Sequence, residues 1–301
     1  MASNAIEIRE VSRRFGPVCA VDGVSLDIFE GETLGLIGHN GAGKSTLFKM
    51  MLGLIPPSSG QILIQGTQVH GAAFRALRRA IGYLPENLAF YENLTGLETL
   101  RFFARLKGCG QEQCMALLKK LGLEHAANRR VDGYSKGMRQ RLGFAQALLG
   151  SPRILFLDEP TNGLDPEGIR EFYDILGELK QTGVTVIITS HILFEIQERV
   201  QRLAVMKSGK LHALGTVQQL REEVNLPLTV HLRLSGSPQR VRDALAGIPL
   251  ESLEAQDGHV MIRCMHQHRM ELLRRLYALE GLDDITVREP SLEDIFLGYA
   301  A

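Results

Sequence analysis

The sequence predicts an α/β chain in which helices flank a parallel sheet, followed by a small α+β domain of ferredoxin-like order. Three observations carry that expectation. Short β-branched runs such as Leu34-Gly-Leu-Ile, Ile154-Leu-Phe-Leu and Val184-Thr-Val-Ile-Ile alternate with helical patterns of about ten or more residues. A phosphate-loop pattern, GxxxxGK[ST], sits between an apolar strand and a helix beginning LFKMMLG. Near residue 223 the texture changes to strict apolar and polar alternation, the mark of half-buried strands.

Residues 1–222 therefore read as one nucleotide-binding α/β domain and residues 223–301 as an accessory domain. In the latter, Leu228, Val230, Leu232 and Leu234 alternate with Thr229, His231 and Arg233, and Val260, Ile262 and Cys264 follow the same rule. Helical runs over 238–246 and around Leu272, Leu273, Leu276 and Leu279, then a strand around Ile285 and Val287, complete a βαββαβ order.

Composition narrows the function classes. The 301 residues carry 34 Lys+Arg against 34 Asp+Glu, a formal net charge of zero that argues against a nucleic-acid-coating protein. With 45% apolar and 23% charged residues the chain can bury a sizeable core. No apolar stretch approaches the roughly 18 residues that span a bilayer, and the start MASNAIEIREVSRRF lacks a signal-peptide pattern. Four scattered cysteines without a CxxC pair fit free thiols in a reducing compartment. A cytoplasmic protein is expected.

The phosphate loop is Gly38-His39-Asn40-Gly41-Ala42-Gly43-Lys44-Ser45-Thr46. Its glycines let successive backbone N–H groups turn inward as an anion nest at a helix N-terminus, where the macrodipole also favours phosphate. Lys44 is expected to reach the β- and γ-phosphates, and the Ser45 hydroxyl to take one position on Mg²⁺. A second motif, Ile154 to Leu157 followed by Asp158 and Glu159, is an apolar strand ending in two carboxylates ahead of Pro160. Neighbouring strand residues face opposite ways, so the acids can divide the work. Asp158 would hold Mg²⁺ and Glu159 would orient and deprotonate an attacking water.

A third motif, Tyr134-Ser135-Lys136-Gly137-Met138-Arg139-Gln140-Arg141, opens an amphipathic helix with Ser135 as N-cap and Gly137 permitting close backbone approach. Together with Asn162-Gly163-Leu164-Asp165 and the pair Ser190-His191, these motifs resemble, in order and spacing, the ATP-binding cassette (ABC) ATPases over about residues 5 to 222. That resemblance implies two chains packed head to tail around two ATP·Mg²⁺, with Ser135 and Gly137 touching the γ-phosphate held by the partner's loop. It implies that His191 contacts the γ-phosphate held by its own chain's loop, and that Asp165 lies near the partner. Phe15 falls where the family places a ring against adenine; a core aromatic is the alternative.

The chain departs from the family in two places. The common Leu-Ser-Gly-Gly-Gln reads Tyr134-Ser135-Lys136-Gly137-Met138 here, and Glu86 stands where glutamine is usual. Glu86 can accept a hydrogen bond from a Mg²⁺-bound water but cannot donate one. Within the family, Tyr83-Leu-Pro-Glu-Asn, Phe103-Ala-Arg-Leu-Lys-Gly and the Tyr134 motif are similar to the ATPase subunit of the transporter for nitrous-oxide-reductase maturation, the Nos copper-assembly system. The tail Glu289 to Leu297, with an S-x-x-D box at Ser291 and Asp294, resembles the end of drug-exporter-type cassettes.

The resemblance implies a motor subunit peripheral to the inner face of the membrane, with a separate transmembrane permease and a periplasmic copper-assembly protein in the complex. A drug-exporter ATPase and a soluble cassette ATPase without a membrane partner are the alternatives. Contact with the permease is expected between Glu86 and Lys107, where Leu88, Phe90 and Tyr91 make an apolar loop. There Thr95-Gly-Leu-Glu98 forms a capping box for a helix burying Leu97, Leu100, Phe103 and Ala104. Cys264, Met265, His266, His268 and Met270 offer copper-like ligand softness, yet a strand face and a turn account for them more simply.

Overall fold

Two units, Met1–Leu214 and Gly215–Ala301, make up the chain in a computed structural model describing residues 3–190, 196–224, 226–235, 237, 239–256 and 258–290. The sequence texture places the break after residue 222. In the structure the helix Val217–Val224 falls within the second unit.

The first unit runs β1 (Asn4–Phe15), β2 (Val18–Phe29), β3 (Thr33–Ile37), α1 (Lys44–Met51), β4 (Ser59–Ile64), β5 (Thr67–Gln68), α2 (Phe74–Leu77) and β6 (Ile81–Leu84). It continues through α3 (Gly96–Lys107), α4 (Gln113–Lys120), α5 (Lys136–Leu148), β7 (Ile154–Asp158), α6 (Pro166–Gln181), β8 (Thr185–Thr189), β9 (Arg202–Lys207) and β10 (Lys210–Gly215).

A six-stranded sheet has the order β10-β9-β3-β8-β7-β6, with β9, β3, β8, β7 and β6 paired in parallel. Strands β3, β7 and β8 are buried along their whole length, as expected of central parallel strands covered on both faces. A second sheet, β2-β1-β4-β5, is antiparallel and was not anticipated from the sequence pattern. Its reason is local: only Gly16 and Pro17 separate β1 from β2, and Gly16 takes φ 57°, so no crossover helix can intervene.

One core joins the two sheets through α1. Ile6, Ile8, Val24 and Leu26 of the antiparallel sheet share it with Leu34, Phe48 and Phe156. Phe48 and Phe156 meet edge to face, centroids 5.3 Å apart, which packs α1 onto β7. Below this core Arg202 grips the buried Glu32 through two hydrogen bonds, of 2.5 and 2.9 Å, and lies 4.6 Å from the Phe29 ring centre.

The second unit comprises α7 (Val217–Val224), β11 (Leu228–Leu234), α8 (Gln239–Ala244), β12 (Leu250–Gln256), β13 (His259–Cys264), α9 (Arg269–Tyr277) and β14 (Leu282–Arg288). Its sheet order β12-β13-β11-β14 places the first and third strands at the centre, the ferredoxin-like arrangement predicted. Leu228, Val230, Leu232, Val260, Ile262 and Cys264 form the covered face, under Val241 of α8 and Leu272 and Leu276 of α9. Met270, near the start of α9, is 62% exposed and lies outside its apolar stripe. Two residues before Leu272, it lies roughly 200° around the helix from the buried row.

Candidate active site

The buried strand β3 delivers the chain into the loop 38–43 and then into α1. A Cβ on Gly38 would stand 2.5 Å from the Met206 carbonyl oxygen and 2.9 Å from Ala42 Cβ. Gly43 takes φ 99°, and a Cβ there would run into the Ala20 carbonyl. Only glycine lets the loop backbone press this closely onto β2 and β9. Ala42 is buried, its carbonyl accepting the Gly209 N–H at 3.0 Å, while His39, Asn40, Gly41 and Ser45 are exposed and Thr46 is half-buried. No side chain caps the N-terminus of α1, which leaves its first-turn N–H groups for an anion. Lys44 Nζ donates to the carbonyls of Gly38 and His39.

Three carboxylates act on Lys44. Burial lowers its ammonium pKa, and Glu159, Asp158 and Glu86 oppose that shift, Glu159 most strongly. Asp158 ends β7 beside β8, where Thr189 Oγ1 donates to Asp158 Oδ1 at 2.7 Å and accepts the Glu159 N–H at 3.0 Å. Burial pushes the Asp158 carboxyl up, and the Thr189 hydrogen bond draws it partly back. Glu159 departs from the sequence expectation in one respect. It diverges from Asp158 because its backbone turns to φ 49°, outside the strand, and not by pleating. A left-handed glutamate is strained, and such strain gathers at functional positions. Glu86 is exposed beyond β6. The half-buried Tyr83 feels Asp158 and Glu86, and with burial as the main cause its hydroxyl is pushed up to about 12.

The third motif forms the start of α5. Ser135 Oγ accepts the Met138 N–H at 3.2 Å, the N-cap predicted for it. A Cβ on Gly137 would lie 3.3 Å from the Gly163 carbonyl, and the Lys136 side chain lies across Gly163. Asp165 caps α6 through the Gly168 N–H at 3.1 Å. Ser135, Gly137, Gly163 and Asp165 line one open groove. From the next turn of α5, the buried Gln140 Nε2 donates to the Pro160 carbonyl at 2.8 Å.

Phe15 is no core residue: it is 46% exposed, with the Arg13 guanidinium 4.7 Å from its ring centre. His191 lies outside the described residues, as do Ser291 and Asp294. Thr189 and Gln140 escaped the sequence reading. Their signal was a polar residue closing the apolar run Val186–Ile188 and a glutamine on the buried face of an amphipathic helix. No group of three or more His, Cys, Asp or Glu side chains suited to a metal occurs among the described residues, and Cys264 is buried in the sheet core.

Thr95 and Glu98 form the predicted capping box of α3, and Leu97, Leu100 and Ala104 are buried. Phe103 is only half-buried, because it belongs to an aromatic row. Its ring is 5.4 Å from Phe102 and 6.3 Å from Phe90, and Phe102 is 5.6 Å from the 60%-exposed Tyr91. Leu88 packs against Gly143 of α5.

A phosphate loop at the end of a central parallel strand, on the same sheet as an acidic strand end, defines a P-loop NTPase. The comparisons narrow this. Residues 21–162 match the ABC transporter family. The bacitracin transport ATP-binding protein BcrA of Bacillus licheniformis is 36% identical over 300 residues, covering 98% of this chain and 97% of that protein. The daunorubicin resistance ATP-binding protein DrrA3 of Streptomyces coeruleorubidus is 34% identical over 99% of this chain and 96% of its own. A dimeric ATP-binding cassette solved in a post-hydrolysis state with ADP and Pi is 25% identical, with a TM-score of 0.65 over 70% of this chain and 98% of that one. The chain belongs to the ABC transporter family as an ATP-binding subunit, an ABC ATPase.

The donor set suits ATP and a hard cation. The loop rests on β2 and β9 so closely that a Cβ at Gly38 or Gly43 would displace it, and the uncapped start of α1 leaves backbone N–H groups for phosphate. The Ser45 hydroxyl and the Asp158 carboxylate are oxygen donors of the kind Mg²⁺ takes, and that ion draws its remaining ligands from phosphate and water.

Proposed function

We propose that the chain is the ATP-hydrolysing subunit of an exporter-type ABC transporter, closing head to tail with a second copy around two ATP·Mg²⁺. The observation that carries this reading is a glycine loop leading into the uncapped start of α1, on the same sheet as a strand that ends in Asp158 with its carboxylate held by Thr189 Oγ1 at 2.7 Å. In it, loop 38–43 and the start of α1 bind the phosphates, Lys44 neutralises the β- and γ-oxygens, and Phe15 stacks on the base. Ser45, Asp158 and, through water, Glu86 would hold Mg²⁺, which would supply positive charge against that developing on the phosphate. Glu159 accepts the proton of the attacking water. Ser135 and Gly137, on an exposed helix N-terminus, meet the γ-phosphate of the partner's nucleotide. His191 holds its place in this scheme on sequence grounds.

The aromatic row Phe90, Tyr91, Phe102 and Phe103 is the face proposed for a separate transmembrane permease. No helix among the described residues is long and apolar enough to cross a membrane. The chain is proposed to sit on the inner face of the cell membrane. The names of BcrA and DrrA3, for bacitracin transport and daunorubicin resistance, favour export of a drug-like compound over the nitrous-oxide-reductase maturation reading. That reading, with its copper-assembly partner, rests on motif similarity in the first unit.

Glu159→Gln tests the scheme. The variant is expected to bind ATP, to lose turnover by at least about a hundredfold, and to pull a polytopic membrane protein from native membranes when ATP·Mg²⁺ is present. Retained turnover would remove Glu159 from the base role, and recovery of ribosomes instead of membrane protein would overturn the transporter reading. A periplasmic copper protein in the recovered complex would restore the maturation reading over export.

A further inference from the structure

The second unit contains a cleft of about 330 Å³, within the size range of small-molecule sites. Arg221 of α7 and Leu226 just beyond it form one wall, His266 and Arg269 another, and Glu289 with Pro290 a third. The charges in this cleft are unequally matched. Arg269 Nη1 donates to Glu289 Oε1, and His266 Nδ1 stands 3.6 Å from Glu289 Oε2, so that carboxylate is engaged from two sides. Glu222 is exposed at the rim and accepts a hydrogen bond from Gln218 Nε2 at 3.0 Å. Arg221 has no such engagement: it lines the cleft, and no hydrogen bond or ion pair to the described residues satisfies it. A guanidinium cannot shed its charge, so one that lines a cleft unpaired favours an anion there.

We propose that this cleft is a binding site for a small organic carboxylate with a compact apolar body. The planar fork of Arg221 matches a carboxylate edge to edge. Leu226 and Pro290 offer apolar contact for the rest of the molecule. Charge selects a monoanion, because Glu222 and Glu289 would repel a phosphate dianion entering beside them. The proposal does not rest on the ATPase reading and assigns the second unit a ligand of its own.

The test is calorimetric titration of the full chain at constant ionic strength, with hexanoate, hexylamine and inorganic phosphate as separate probes. Saturable binding of hexanoate is expected, with hexylamine and phosphate at least tenfold weaker. Arg221→Gln should weaken hexanoate at least tenfold, Arg221→Lys by less, since it keeps the charge but loses the fork. Arg274→Gln, an exposed arginine of α9 away from the cleft, should bind as the parent does. Melting of the unliganded variants at the parent temperature confirms that folding is intact. Absence of saturable hexanoate binding, equal binding by Arg221→Gln and Arg221→Lys and the parent, or phosphate binding as tight as hexanoate would each overturn the assignment.

Discussion

Thr189 serves both members of the acidic pair with one hydroxyl, donating to Asp158 at 2.7 Å and accepting from the Glu159 backbone at 3.0 Å. The isosteric Thr189→Val removes both bonds and leaves a buried carboxylate without its donor. A loss of about 1–3 kcal/mol in urea unfolding is expected, together with weaker ATP·Mg²⁺ binding as Asp158 shifts from its place. Unchanged nucleotide affinity in this variant would show that Thr189 does not position the pair.

Gly43 and Gly41 both take positive φ, but their surroundings differ. A Cβ on Gly41 meets nothing within 4 Å, whereas one on Gly43 meets the Ala20 carbonyl and Gly209. Gly41→Ala should therefore cost only the backbone strain of about 1–2 kcal/mol. Gly43→Ala should add displacement of the loop from β2 and abolish ATP binding. Equal nucleotide affinities for the two variants, measured by equilibrium dialysis, would contradict this account.

The half-buried Arg202 and the buried Glu32 predict a non-additive pair of variants. Arg202→Met alone strands a carboxylate in the core and should cost about 3–5 kcal/mol. Adding Glu32→Met should recover most of that loss, because the two charges no longer need desolvation. Additive losses in a double-mutant cycle would mean that the pair is not coupled as the geometry shows.

Burial pushes the Cys114 and Cys264 thiols up, while Cys19 and Cys109 are only half-buried. A folded pKa above the unfolded one means that the native state holds the proton more firmly. Its contribution to stability is whole below the ordinary thiol range of about 8–9 and is lost as pH climbs through the raised values. Iodoacetamide applied to the native protein at pH 8 should alkylate Cys19 and Cys109 well before the other two, as peptide mass spectrometry would read. Equal rates at all four would refute the burial.

Much of this site could be read from residue spacing because its chemistry is local. A phosphate loop needs glycines where backbone meets backbone, and Gly38 and Gly43 are held by such approaches. The Ser135 cap and the Thr95–Glu98 box are likewise contacts within one turn, which sequence encodes directly. The ferredoxin-like order was legible because alternation at Leu228 to Leu234 reports a one-sided sheet. The antiparallel sheet was not, since β1 and β2 pair through a register full of shifts that blurs the period of two. Thr189 was hidden for another reason: its partner Asp158 is 31 positions away and becomes a neighbour only through parallel pairing of β7 with β8.

The buried hydrogen bond from Gln140 to the Pro160 carbonyl joins the helix that begins at Ser135 to the turn that begins at Glu159. In a head-to-tail pair these two ends serve different nucleotides. Each chain would thus carry a rigid strut from the clasp on one ATP to the hydrolytic base of the other. In the head-to-tail pair proposed above, two such links would close a circuit, and release of one phosphate would be felt at the opposite site without any signal leaving the pair.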